Sequence, residues 1–208
     1  MQLEVKTMAE LSEKNIAPDF LYWVGSAGSF DDRAKKITRA FVKILNYANV
    51  SFGVLGVEES TSGDVAKRAG NEFLFQMQAL ANIEVMNSYN IKKIITTCPH
   101  SFNILKNEYY DLGGNYEVNH HTEFILDLID SKKITISQNS IEDVMTYHDP
   151  CYLGRGNNIY NQPREIIKRL SKNFIEMPRN KRNSLCCGAG GAQMFKEAEK
   201  GSAEINIV

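Results

Sequence analysis

Apolar and polar positions alternate along this chain with two periods. Short apolar runs stand at "FLYWVGS" (20–26), "VSFGVLGVE" (50–58), "IKKIITTCP" (91–99) and "NYEVNHH" (115–121). Runs of this length, bounded by small or turn-forming residues, predict buried strands. Between them lie stretches with helical spacing. In "AKKITRAFVKILNYA" (34–48), Ile37, Phe41, Ile44, Leu45 and Ala48 fall on one face. Asp64 opens a longer helical stretch reaching about Tyr89, with Phe73, Leu74, Met77, Leu80 and Ala81 as its apolar stripe. Trp23, Phe73 and Phe75 are expected in the core. "TEFILDLIDSKK" (122–133) predicts a further helix with Thr122 near its start. Strands alternating with helices imply a parallel sheet covered by helices, an α/β fold.

After "SKKITISQNSIED" the pattern restarts. "DVMTYHDPC" predicts a strand ending at Cys151. "PREIIKRLSK" predicts a helix with Pro163 in its first turn, and "NFIEMP" another strand. The same number of residues separates Ser26 from Thr61 and Cys151 from Cys186. Thr61-Ser62-Gly63 thereby aligns with Cys186-Cys187-Gly188, in the same order of elements. A shared spacing, element order and glycine argue for duplication. The expected organisation is an N-terminal extension (1–19), a first half (20–135) and a second half (136–208). The counterpart of Cys98 would fall beyond Val208, so the second half is expected to lack its last strand and helix. An open sheet edge of that kind predicts a chain that is poorly stable alone or covered by a partner.

Composition narrows the function. The 208 residues carry 24 basic and 25 acidic side chains, a formal charge of −1. That balance gives no long-range attraction to nucleic acid. No apolar run approaches the roughly 20 residues needed to cross a bilayer, so no direct membrane insertion is expected. The charged start "MQLEVKTMAELSEKN" has no secretory core and points to the cytoplasm, where thiols stay reduced. Four cysteines in that setting suggest metal or redox chemistry.

The cysteines all follow predicted strands: Cys98, Cys151 and the adjacent pair Cys186 and Cys187. Ligands of parallel α/β sheets collect at the carboxyl ends of strands. Thiolates suit iron–sulfur clusters, zinc and copper(I). The glycines of "CCGAGG" allow backbone amides to approach the sulfurs. A partial zinc site from Cys98, His100 and His120 or His121 is the second metal reading. The plainer one has His121 or Thr122 capping a helix and His148 satisfying a backbone group. The glycine loop lacks the order of a dinucleotide or P-loop motif. "PRNKRN" (178–183) is a basic loop beside the thiols, a solvated turn or a docking face for an acidic partner. Adjacent cysteines form only a strained bridge, which ranks thiol–disulfide chemistry last.

"HDPCYLGR", "LCCGAGG" and "TCPH" resemble the cysteine-rich CCG-domain family. "WVGSAGSFDDR", "EESTSGD", "GNEFLFQ" and "GGNYEVNHHTEF" are similar to its first half. The family includes the B subunit of heterodisulfide reductase and iron–sulfur oxidoreductases of glycerol-3-phosphate and lactate oxidation. The resemblance implies an electron-transfer subunit working with a larger iron–sulfur or flavin oxidoreductase subunit. It implies a cofactor held by Cys151, Cys186 and Cys187, with Cys98 as a further metal ligand. The cluster would be of the four-iron, four-sulfur kind with an incomplete ligand set, zinc being the alternative. Ser26, Thr61 and Ser101 stand where the first half would carry thiols, and the second half's CxxC would lie past Val208. These departures leave a metal-free or zinc-binding scaffold as the alternative function.

Overall fold

A computed structural model describes residues 3–137 and 140–193. The chain begins with α1 (Met8–Glu13), β1 (Phe20–Trp23), α2 (Gly25–Phe30) and α3 (Asp32–Tyr47). There follow β2 (Phe52–Gly53), α4 (Asp64–Arg68), α5 (Glu72–Ser88), β3 (Lys93–Thr96), α6 (Pro99–Asn107), β4 (Glu117–His120), α7 (His121–Asp130) and α8 (Asn161–Leu170). The four strands form one sheet in the order β2-β1-β3-β4, parallel throughout. This is the expected α/β architecture. Strand order reverses at β1, so the crevice beyond the carboxyl ends of β1 and β3 is the topological switch point.

Alternation within the strands divides the core into two layers. Leu21, Trp23 and Ile94 face one way and join Phe75, Ala79, Ile83, Met86 and Phe102 of α5 and α6. Tyr22 and Ile95 face the other way, against Phe41, Val42 and Leu45 of α3. The N-terminal residues belong to this body: Met8 and Leu11 enter the first layer, and Thr7 bridges Val54 in parallel.

Local chemistry sets the helix ends. The Ala34 amide donates to Asp31 Oδ1 at 2.7 Å, and the Leu74 amide to Asn71 Oδ1 at 3.0 Å. The single helix expected from Asp64 to Tyr89 is two. Gly70 takes φ +84°, which stops α4 and lets Asn71 cap α5. The break also rotates α5 relative to the sequence expectation. Phe75, Ala79, Ile83 and Met86 are buried, whereas Phe73 is 76% exposed and Leu74, Met77 and Leu80 also face outward. Phe73 is therefore not a core residue, and the stripe read from the sequence is the outer face. Both faces of α5 carry apolar residues, so periodicity alone could not choose between them.

In the second half the expected strands pair over one parallel bridge, Met145 with Phe174, closed by two backbone bonds of 2.9 and 2.8 Å. Side chains do more of the holding there. Arg164, 2% exposed, grips Asp149 with two bonds of 2.7 Å and Glu176 with bonds of 2.6 and 3.0 Å. The turn after Asp149 packs Leu153 and Ile159 into the first-half core. No helix among the described residues is long and apolar enough to cross a membrane.

Candidate functional site

Cys98 sits where β3 ends and caps α6, with Pro99 in the helix's first turn. β1 ends beside it. Val24 in the right-handed and Gly25 (φ +76°) in the left-handed conformation form a concave pair of backbone amides, a nest suited to an anion. Glu59 fills it. Its carboxylate accepts from the Gly25 amide at 2.6 Å and the Val24 amide at 3.0 Å. Burial pushes the Glu59 carboxyl up to about 7, against the downward pull of these two bonds. A methyl group placed on Gly25 would lie 3.5 Å from Ser101 Oγ and 3.9 Å from both Cys98 Cβ and Trp23 Nε1. The Trp23 indole nitrogen is buried without a partner. The first-half crevice is thus lined by one thiol, serine hydroxyl, indole and carboxylate. That donor set does not fit an iron–sulfur cluster, which takes thiolates.

The aligned loops of the two halves share one local geometry. The Gly63 amide points to Thr61 Oγ1 at 3.5 Å, and the Gly188 amide donates to Cys186 Sγ at 3.4 Å. Gly63 and Gly188 take positive φ of 84° and 74°. The amide-to-sulfur contact expected from "CCGAGG" is therefore present. Cys186 and Cys187 are exposed, Cys98 and Cys151 partly so, and all four are free thiols.

Second-half loops converge on the carboxyl edge of the first-half sheet. Tyr152, next to Cys151, stands edge-on to His100 with ring centroids 4.6 Å apart, and the Arg68 guanidinium lies 5.2 Å from its centroid. A methyl on Gly190 would lie 3.1 Å from His100 Cε1, and one on Gly191 3.6 Å from Arg68 Cβ. His100 is fixed from below by Asp64, Nδ1 to Oδ2 at 2.8 Å. Burial works to raise the Asp64 carboxyl, but His100 and Arg68 hold it below its ordinary value. Arg68 also binds Glu108, which accepts from Asn103 Nδ2 at 2.9 Å. Asn157 Nδ2 donates to Asn103 Oδ1 at 2.9 Å and to the Tyr152 carbonyl at 2.7 Å. This network joins Cys151, the glycine loop and the start of α6.

The thiol side chains themselves do not close into a ligand set. Among the described residues no three His, Cys, Asp or Glu side chains are placed to hold one metal ion. The histidines have other roles. His120 caps α7, its amide donating to Glu123 Oε2 at 3.2 Å and its Nδ1 lying 2.8 Å from Thr122 Oγ1. Burial lowers both His120 and His121, the latter to about 4, so both are neutral at pH 7. His148 Nε2 bonds the Leu185 carbonyl at 2.9 Å. These are the plainer roles expected of them, with the cap one residue earlier. Sequence reading missed Glu59 and the Asp149–Arg164–Glu176 cluster. Asp149 lay inside "HDPC", but its buried partner is contributed by α8, which only folding brings near.

Comparison with known proteins places this architecture. A probable iron–sulfur-binding oxidoreductase of Bacillus subtilis, FadF, is 44% identical over 205 residues, covering 98% of this chain and 29% of that protein. The EtfAB:quinone oxidoreductase of Syntrophomonas wolfei is 48% identical over 87% of this chain and 25% of its own length. One subunit of the dihydromethanophenazine:CoB–CoM heterodisulfide reductase of Methanosarcina barkeri is 33% identical over 83% of this chain and 43% of its own. The chain thus spans less than half the length of these relatives. No solved structure matches. The family model of the cysteine-rich domain, CCG, matches residues 21–106 and 145–206, and this chain belongs to that family.

Proposed function

We propose that this chain is an electron-transfer domain of an iron–sulfur oxidoreductase, with its cluster at the Cys151 and Cys186–Cys187 loops. The observation that carries this reading is the Gly188 amide on Cys186 Sγ, within a glycine loop that presents two thiols to solvent. Amide donors of this kind stabilise the charge on cluster sulfurs. Three soft thiols are the right donor chemistry for such a cluster in the second half. A bound cluster would supply one-electron storage and release. This chain's own residues supply position: Tyr152, wedged between His100 and Arg68, sets Cys151, and Arg155 with Asp149 sets the segment before Cys186. Cys98 is the remaining thiol on the same edge and the candidate for completing the set.

The relatives are named as an iron–sulfur-binding oxidoreductase, an EtfAB:quinone oxidoreductase and a heterodisulfide reductase subunit. By that likeness this chain would exchange electrons with a larger iron–sulfur or flavin-bearing partner. Free thiols are in keeping with a reducing, cytoplasmic compartment. A scaffold, metal-free or zinc-bearing, is the second reading; the absence of three converging ligands among the described residues favours its metal-free form.

The test is iron, acid-labile sulfide and zinc per chain on protein purified without oxygen. About four iron and four sulfide are expected, with visible absorbance lost in Cys186→Ala and Cys187→Ala. The same measurement on Cys98→Ala decides whether that thiol is a ligand. Stoichiometric zinc, or no metal, would replace the electron-transfer reading with the scaffold.

A further inference from the structure

The exposed thiol pair continues directly from an exposed cationic loop. Arg179, Lys181 and Arg182 all face solvent, and none is paired with a carboxylate among the described residues. The one carboxylate in 172–193 is Glu176, and Arg164 takes both of its oxygens. The backbone that carries these charges is anchored. The Lys181 amide donates to Asp149 Oδ2 at 2.6 Å, and Lys181 is kept at φ +50°, a conformation unfavourable for a residue with a side chain. Arg155 Nη1 donates to the Ser184 carbonyl at 2.7 Å, and Ser184 Oγ to the Asp149 carbonyl at 3.2 Å. Asp149 is 1% exposed. The basic loop therefore hangs on the buried Asp149 carboxylate, and the approach to Cys186 on the Asp149 carbonyl and Arg155. A merely solvated turn requires no such anchor.

We infer that this edge is the docking surface for an acidic electron-transfer protein, received with its carboxylates over Arg179, Lys181 and Arg182 and its redox group towards Cys186–Cys187. The inference rests on the electron-transfer reading for its purpose, but not for its test. The chain as a whole has a formal charge of −1, so this edge is a local feature and not general basicity. Charges of one sign clustered beside a reactive group steer a complementary partner and orient it on arrival. Such steering weakens as the screening length falls to about 8 Å near 0.15 M salt.

The probe is a two-iron ferredoxin of strongly acidic surface, titrated into the full chain by calorimetry at about 20 and 300 mM salt. Arg179→Glu/Lys181→Glu/Arg182→Glu and the corresponding triple Gln variant are compared with the parent chain. All three side chains are exposed, so unchanged melting curves are expected to confirm folding. Binding at low salt should weaken about 10-fold or more in the Glu variant and by less in the Gln variant, the differences shrinking at high salt. In parallel, the exposed thiols react with a dianionic aromatic disulfide and with a neutral one. The thiolate attacks one sulfur, forms a mixed disulfide and releases the aryl thiolate. On metal-free chain, where these thiols are not ligands, the anionic reagent alone should slow in the Glu variant. A chain with no cluster that shows these effects keeps the surface and loses the electron-transfer reading. Absence of ferredoxin binding, insensitivity to the three substitutions, or tighter binding of duplex DNA than of the ferredoxin would overturn the surface.

Discussion

Glu59→Gln isolates the contest between burial and hydrogen bonding at the first-half crevice. Burial raises the folded-state Glu59 carboxyl from 4.5 to about 7, and among the described residues no cation offsets it. Tyr22 and Tyr109, both neutral at these pH values, are the titratable groups that feel its charge. A folded state that holds its proton more tightly than the unfolded chain loses stability as pH rises from about 4.5 through 7. At about 1.4 kcal/mol per pKa unit, the full loss is roughly 3 kcal/mol. The substituted amide keeps an oxygen for one of the two backbone amides and does not titrate; the lost second bond is a cost that does not vary with pH. The stability difference, variant minus parent, should therefore grow by up to roughly 3 kcal/mol between pH 4 and pH 8. Urea unfolding at closely spaced pH values reads this directly, as a relative midpoint shift of about 1.5 M for a slope near 2 kcal/mol/M. Other titrating groups cancel in the difference. Parallel stability curves, or a parent chain that gains on the variant as pH rises, would refute the reasoning and show that the two amide bonds outweigh desolvation.

Three further outcomes follow from the packing. Phe75→Ala should cost about 3–5 kcal/mol in chemical denaturation, whereas Phe73→Ala should stay within about 0.5 kcal/mol, because only Phe75 lies inside. Arg164→Leu leaves Asp149 buried without its cation and should cost about 3–5 kcal/mol, with faster proteolysis in 179–183 as the loop loses its anchor. Tyr152→Ala removes the wedge against His100 and Arg68. Iodoacetamide labelling followed by mass mapping should show Cys151 reacting several-fold faster while Cys98 changes little; equal rates at Cys151 would deny Tyr152 its positioning role.

The sequence by itself determined the layered α/β fold and the placement of Cys98 after a strand, whereas the strands expected before Cys151 and Cys186 reduce to a single bridge. Strand and helix periods are set by local geometry, so "FLYW", "KIIT" and "EVNH" declared themselves without tertiary information. The spacing aligned Thr61 with Cys186, and the structure adds that the glycine amides of both loops turn back on the same atom position. What the sequence left open was every choice between equivalent faces and every partner distant in the chain. α5 is apolar on both sides, and only the turn at Gly70 and packing against Leu21, Trp23 and Ile94 put Phe75 inward and Phe73 outward. Glu59 looked like one acid among several until β1 ended in a nest that it could fill. Asp149 became an anchor only because α8 brings Arg164 to it. Periodicity records which residues avoid water. The tertiary structure decides which polar groups must then satisfy one another, and in this protein those pairings hold the thiol loops in place.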